Sequence, residues 1–285
     1  MTLTQLHVFL VVVEKGNFTL AAEQLYMTQS AVSHAIASLE KELGVLLLER
    51  QRAGVITTSI GEQLLMRART IIDQTECIRQ EMAAARGIAT GKLRIGSFSS
   101  VSRGVLPALL GSFRRKYPGI TITLLEGTNQ EVYDWLISRA VDISVVILPV
   151  TGVDTIPLVT DELVAFLPPD HALVQHTTIQ IEQIAADPFI MPKGGCEPLI
   201  RTIFERAGVI PHIAFEASET EAILAMVQEG LGVTIVPRLS LSVDTSHLQA
   251  LPLDPPIHRE LGLAVRSSAS LTPAMEAFFH HAENI

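Results

Sequence analysis

The side chains best suited to do chemistry in this sequence lie close to its start. In QSAVSHAIASLEKELG, Val32, Ile36, Leu39 and Leu43 step by four, three and four, which predicts the inward stripe of a helix. The opposite face carries Gln29, Ser30, Ser33, His34, Ala37 and Lys41. Short hydrogen-bonding side chains gathered on one face fit the floor of a DNA major groove, where base edges present donors and acceptors. Thr28 stands where a cap belongs, which leaves Gln29 and Ser30 in the first turn with free backbone N–H groups at the positive end of the helix dipole, suited to a phosphate. A solvated helix face has a similar composition. The neighbouring elements separate the two readings.

Stepping upstream, Leu3, Leu6, Phe9, Leu10 and Val13 recur at helical spacing and stop at Gly16-Asn17. Thr19 is the expected cap of a second helix, in which Ala21 and Ala22 admit a close neighbour and Leu25 anchors the core. Tyr26-Met27 is a short turn. Two helices joined so tightly form a helix-turn-helix. Downstream, VLLLERQRAGVITTSIG gives two β-prone pieces around Arg50, Arg52 and Gly54, a wing whose arginines suit a minor groove or a phosphate.

With those elements in order, FTLAAEQLYMTQSAVSHAIASLEKELGVLLLER resembles the signature of LysR-type transcriptional regulators. The paired alanines, Gln29 to Ser33, Leu39-Glu40, Glu42-Leu43-Gly44-Val45 and Arg50 carry the match. The resemblance implies that Gln29, Ser30, Ser33 and His34 approach bases or phosphates and that Arg50 and Arg52 sit on the wing. Two positions depart from the family's pattern: Leu20 replaces a frequent basic residue, and Leu48 a wing phenylalanine.

From Leu64, the residues Ala68, Ile71, Thr75, Ile78, Met82 and Ala85 alternate steps of four and three, and Leu65 and Ile72 widen the stripe. A seam of that length on a charged helix calls for a second chain, the alternative being burial on the chain's own following domain. RGIATG, 86–91, breaks the helix with two glycines. Cys77 falls off the seam.

Strand and helix then alternate. KLRIG (92–96), a helix over 104–116, ITITLL (120–125), a helix through Trp135 and DISVVIL (142–148) predict a β-α-β-α-β unit on a parallel sheet. ELVAFL (162–167), a short helix near Ile184, FIM (189–191), a helix to Ala207, HIAF (212–215), a helix to Glu229 and VTIV (233–236) repeat it. The family resemblance extends through DELVAFLPPDHAL and EGLGVTIVP and implies a two-lobed effector domain like a type 2 periplasmic binding protein's, with GLAV (262–265) and the helix from Pro273 to His281 returning to lobe one.

The expected organisation is α+β overall: a winged helix-turn-helix over 1–60, a dimerisation linker helix over 61–86, a hinge over 87–91 and an α/β effector domain over 92–285. Lobe one comprises 92–160 with 262–285, and lobe two 161–261. Ligands of such folds bind at strand ends between lobes. The expected effector residues are Ser99, Ser100, Ser102, Thr128, Lys193 and Gly195, suited to a small anion or carboxylate, although serines are also ordinary helix caps and Lys193 an ordinary loop residue. Cys196 follows Gly-Gly at an expected helix start, where a thiolate is favoured, and is a redox candidate. Peroxide-sensing relatives pair such a cysteine with a second one nearby, which is missing here.

Composition fits this reading. The 285 residues carry a net charge of −9, and residues 1–90 hold eight Lys/Arg against nine Asp/Glu, so a near-neutral head precedes an acidic body. So neutral a head needs help from dimerisation to hold DNA. The two cysteines lack metal-ligand spacing, no apolar run reaches membrane length, and no secretory start is evident, which places the chain in the cytoplasm without a cofactor or structural metal. No GxSxG elbow, GxxxxGK loop or His/carboxylate cluster argues for an enzyme, and a solute-binding protein would lack the helix-turn-helix. The expected partners are double-stranded DNA, a small-molecule effector, further copies of the chain as dimer or tetramer, and RNA polymerase.

Overall fold

Thr2 and Gln5 cap one another at the start of α1 (Leu3–Lys15), and Gly16 ends that helix in the left-handed region at φ 59°. Asn17, extended, then accepts from the N–H groups of both Thr19 and Leu20 to start α2 (Phe18–Leu25). Asn17 thus takes the capping role expected of Thr19, because it stands just ahead of the first helical residue, where its amide oxygen reaches two free N–H donors at once. Tyr26, left-handed at φ 54°, turns the chain into α3 (Gln29–Leu43).

These elements belong to a computed structural model that describes residues 1–51, 54–241 and 249–284. They divide into two compact units, Met1–Gly91 with Ser138–Ala140, and Lys92–Ile137 with Val141–Ile285.

In the first unit, Leu6, Phe9, Val12, Ala21, Ala22, Val32, Ile36 and Leu39 share one core. Leu43 does not join it: the last turn of α3 overhangs the core and leaves that side chain exposed, contrary to the four-residue stripe. β1 (Leu48–Gln51) and β2 (Gly54–Thr57) pair antiparallel as the wing. Glu40 fastens the hairpin to α3, since its Oε1 accepts from Leu47 N at 2.8 Å and Leu48 N at 3.2 Å. Leu48 fills its place in the core. α4 (Ser59–Ala84) follows, capped by Thr58, whose hydroxyl also donates to Leu46 O at 2.9 Å. Gly61 permits this approach, for a Cβ there would lie 2.1 Å from Leu47 O. Leu64, Leu65 and Ala68 pack on the head core, so the first turns of the expected seam are claimed by the chain itself. Ile71, Ile78 and Met82 further along are exposed.

The second unit comprises β3 (Gly91–Ser97), α5 (Ser99–Gly104), α6 (Leu106–Lys116), β4 (Ile120–Glu126), α7 (Asn129–Ile137) and β5 (Ile143–Leu148). It continues through β6 (Asp154–Leu167), α8 (Ile181–Ile184), β7 (Pro188–Pro192), α9 (Glu197–Arg206), β8 (His212–Ala217), α10 (Thr220–Gln228), β9 (Thr234–Pro237), β10 (Gln249–Val265) and α11 (Pro273–Ala282). The helix expected over 104–116 is α6, and a further short helix, α5, precedes it, the two divided at Val105. The sheet is mixed rather than parallel. Its order is β4-β3-β5-β10-β6-β9, with β3 and β5 parallel but β10 antiparallel to both β5 and β6, while β7 and β8 form a separate parallel pair.

β6 and β10 are far longer than the six and four residues expected, at 14 and 17, and run through both lobes as one hydrogen-bonded ribbon. Lobe one packs Leu93, Ile95, Leu106, Leu109, Phe113, Leu263 and Phe278 against its end of the ribbon. Lobe two packs Leu163, Leu167, Phe189, Met191, Phe204 and Ile235 against the other. Each fully buried Leu or Phe contributes about 1.5–3 kcal/mol, so the two cores hold the ribbon firmly at both ends.

Candidate nucleic-acid interface and ligand cleft

The first site is the outer face of α3. Thr28 Oγ1 accepts from Ala31 N at 3.2 Å and lies 3.0 Å from Ser30 Oγ, so the cap organises the first turn and the Ser30 hydroxyl together. Gln29, Ser30 and His34 are exposed and Ser33 is half-buried, opposite the buried Val32, Ile36 and Leu39. That arrangement presents a shallow polar surface one helix wide on a rigid apolar base, the form a major groove admits. Arg52 and the side chain of Arg50 lie outside the described residues.

The second site is the space where strand ends of the two lobes meet. Sequence reasoning missed its principal residue. Arg259, on β10, is 4% exposed, and its partner Asp161, on β6, 2%. Arg259 Nε and Nη2 donate to Asp161 Oδ2 at 3.0 and 2.7 Å, Nη2 also to Ser100 Oγ at 2.7 Å, and Nη1 to Cys196 Sγ at 3.2 Å. The guanidinium lies 5.4 Å from the centre of the Phe98 ring. Asp161 Oδ1 accepts from Leu239 N at 3.1 Å. Ser100 comes from lobe one and Cys196 from lobe two, so one buried cation joins both. The signal for it was present: Ile257, Leu261 and Leu263 alternate inward, and period two puts Arg259 on the same face.

The expected effector residues are only partly assembled. Ser99, Ser100 and Ser102 lie in α5 itself, after an N-cap, Phe98, that makes no side-chain bond. Ser100 is engaged by Arg259, while the buried Oγ of Ser102 has no partner. Thr128 spends its hydroxyl and its N–H on Glu131 Oε2, both at 2.8 Å, and these bonds hold the Glu131 carboxyl below its ordinary range. Gly195 O accepts from Asn129 Nδ2 at 3.0 Å, and Asn129 Oδ1 is buried without a partner.

Lys193 stands 3.0 Å from Glu216 and 3.5 Å from Glu197; the bond to Glu216 above all raises its ordinary pKa, so its charge is already met. Cys196 does precede α9, but burial pushes its thiol upward against the lowering influence of Arg259. Burial therefore opposes the thiolate that a helix start favours. Cys77 Sγ is 3.4 Å from Glu81 Oε1 on α4, as an ordinary helix residue. Among the described residues no His, Cys, Asp or Glu cluster could hold a metal, and no helix is long and apolar enough to cross a membrane.

Comparison with known proteins bears on both sites. Residues 3–62 match the family model for the bacterial regulatory helix-turn-helix protein, lysR family, and residues 86–284 the model for the LysR substrate binding domain. A regulator from Bacillus subtilis, the uncharacterised YvbU, is 36% identical over 100% of this chain and 99% of its own length. The probable regulator LrrA of Synechococcus elongatus is 38% identical over 98% and 95%. Among solved structures, full-length OxyR of Pseudomonas aeruginosa superposes with a TM-score of 0.79 at 26% identity, over 99% of this chain and 94% of that one.

Proposed function

The chain belongs to the LysR family of DNA-binding transcriptional regulators, and from that premise we propose that α3 reads an operator half-site through Gln29, Ser30, Ser33 and His34, under control of a small molecule held between the lobes. The carrying observation is the division of α3 into a face sunk in the head core and an opposite polar face on which Gln29, Ser30 and His34 are exposed. Thr28 fixes the first turn for a phosphate, and Arg50 and Arg52 grip the backbone from the wing. Fluorescence anisotropy on operator and scrambled duplex tests this. Ser33→Arg and His34→Ala alter site preference, whereas Arg50→Ala weakens binding to every sequence and lowers the salt slope by about one. Unchanged preference and slope in all three would refute the residue roles.

Two half-sites require two heads, and the exposed Ile71, Ile78 and Met82 on α4 support a homodimer or a dimer of dimers. The regulator works in the cytoplasm, with RNA polymerase as its further partner. For the effector, the carboxylates already paired with the cleft's cations, Asp161 with Arg259 and Glu216 with Lys193, favour a polar ligand over a strongly anionic one. A carboxylate entering here competes with Asp161 for Arg259 and with Glu216 for Lys193, while Ser102 and Asn129 hold unused hydrogen-bonding capacity. A thermal-shift screen of small carboxylates, inorganic anions and neutral polar compounds distinguishes the classes, since a ligand of the folded state raises the melting temperature. Stabilisation by carboxylates alone would overturn that preference.

A further inference from the structure

Among the described residues several contacts cross between the lobes, and they are unequal: Leu239, just after β9, packs against the lobe-one core, so close to α5 that a Cβ on Gly104 would lie 2.8 Å from it. At the floor, Arg259 touches Ser100 and Cys196 while fixed to Asp161 across neighbouring strands of the shared ribbon, a pairing that lobe position does not alter. Away from the floor, Asn129 of lobe one donates to Gly195 O of lobe two, and a Cβ on Gly194 would stand 3.3 Å from Thr128 Cγ2. Arg103, at the end of α5, pairs with Glu221 in the first turn of α10, with side chains 33% and 63% exposed. α5 carries both Ser100 and Arg103, so one short helix answers to floor and rim together.

Water screens the exposed pair, and a single neutral hydrogen bond adds little more, so both rim contacts are of the kind that thermal motion breaks; the dry pair on the ribbon is not. We propose that Arg103–Glu221 and Asn129–Gly195 form a releasable latch that holds the cleft shut, that opening breaks them while Arg259–Asp161 persists as the pivot, and that Cys196 is uncovered when they part. Ligand exchange then waits on the latch, and effector-free behaviour is set by its strength.

In the full chain carrying Cys77→Ser, Cys196 is the sole thiol, and its rate of reaction with Ellman's reagent under native conditions reports opening. Arg103→Gln and Glu221→Gln should each speed labelling about threefold, and the two together no further, because they remove one interaction. Adding Asn129→Ala to either should bring the increase to the order of tenfold. The labelling rate should rise only weakly with urea, as a local opening does, rather than with the full slope of global unfolding. Rates equal to the parent's, independent effects of Arg103 and Glu221, or a urea slope matching global unfolding would each overturn the latch.

Discussion

A guanidinium enclosed by Ser100, Cys196, Asp161 and Phe98 makes the cleft floor intolerant of partial change. Arg259→Met strands the Asp161 carboxylate in a dry site and should cost about 3–5 kcal/mol in urea denaturation of the full chain. Arg259→Met with Asp161→Leu should cost less than the single change; an equal or larger loss would show that the charge pair is not the source. His281 offers a pH test. Its Nε2 lies 2.7 Å from Ser112 Oγ, and burial, aided by the charge of Lys116, holds its pKa below the ordinary value. The folded state thus takes up this proton less readily than the unfolded chain. The corresponding stability is complete above the unfolded pKa, near 6.5, and is lost as pH falls through the folded one. His281→Gln should therefore flatten the fall in the urea midpoint between about pH 7 and 5, and an unchanged profile would exclude it. The two residues also show what a sequence hides. Arg259 sits among prolines and charged residues in DPPIHRELG, and only the alternation of its neighbours betrays its burial, whereas nothing in the pair His280-His281 announces that His281 packs 5.6 Å from the Phe113 ring.

At the scale of elements, sequence signals succeeded where a local cause suffices. The helix-turn-helix, the wing, α4 and most strands follow from periodicity and capping in their own residues. They failed where the partner decides. β6 begins at Asp154 in DTIPLVT, and β10 passes through Pro252, Pro255 and Pro256; neither stretch has the apolar continuity of a buried strand, and each is extended because the other supplies its hydrogen bonds. Pairing accommodates the prolines by a register shift between Pro252 and Ile257. Leu43 failed for the converse reason, since the helical period continues past the point where the core ends. Two element-level outcomes follow. Thr28→Ala removes a cap and should lower stability by about 1 kcal/mol, and it should also weaken operator binding by disordering the first turn of α3. A Thr28→Ala chain of parental stability would show that the cap is not a structural support.

For the whole molecule, the unsatisfied part of α4 is the decisive surface. Ile78 and Met82 are each 58% exposed, a poor state for apolar side chains on an otherwise charged helix. Ile78→Asp with Met82→Asp should leave the thermal unfolding of the chain little changed while sedimentation equilibrium shifts to the monomer, and operator affinity should fall because one head then holds one half-site. A dimer that survives both changes would place the interface elsewhere.

The pair of long strands common to both lobes has a mechanical consequence. A hinge made of loops swings freely, but two cross-bonded strands resist shear and in-plane bending and yield most readily in coil, so displacement of one lobe should be stored as torsion and returned when the load is removed. Such a sensor has graded elastic compliance with a restoring couple rather than a slack joint. Stiffening substitutions along the ribbon would therefore tune the work demanded of a ligand without touching any atom that contacts it.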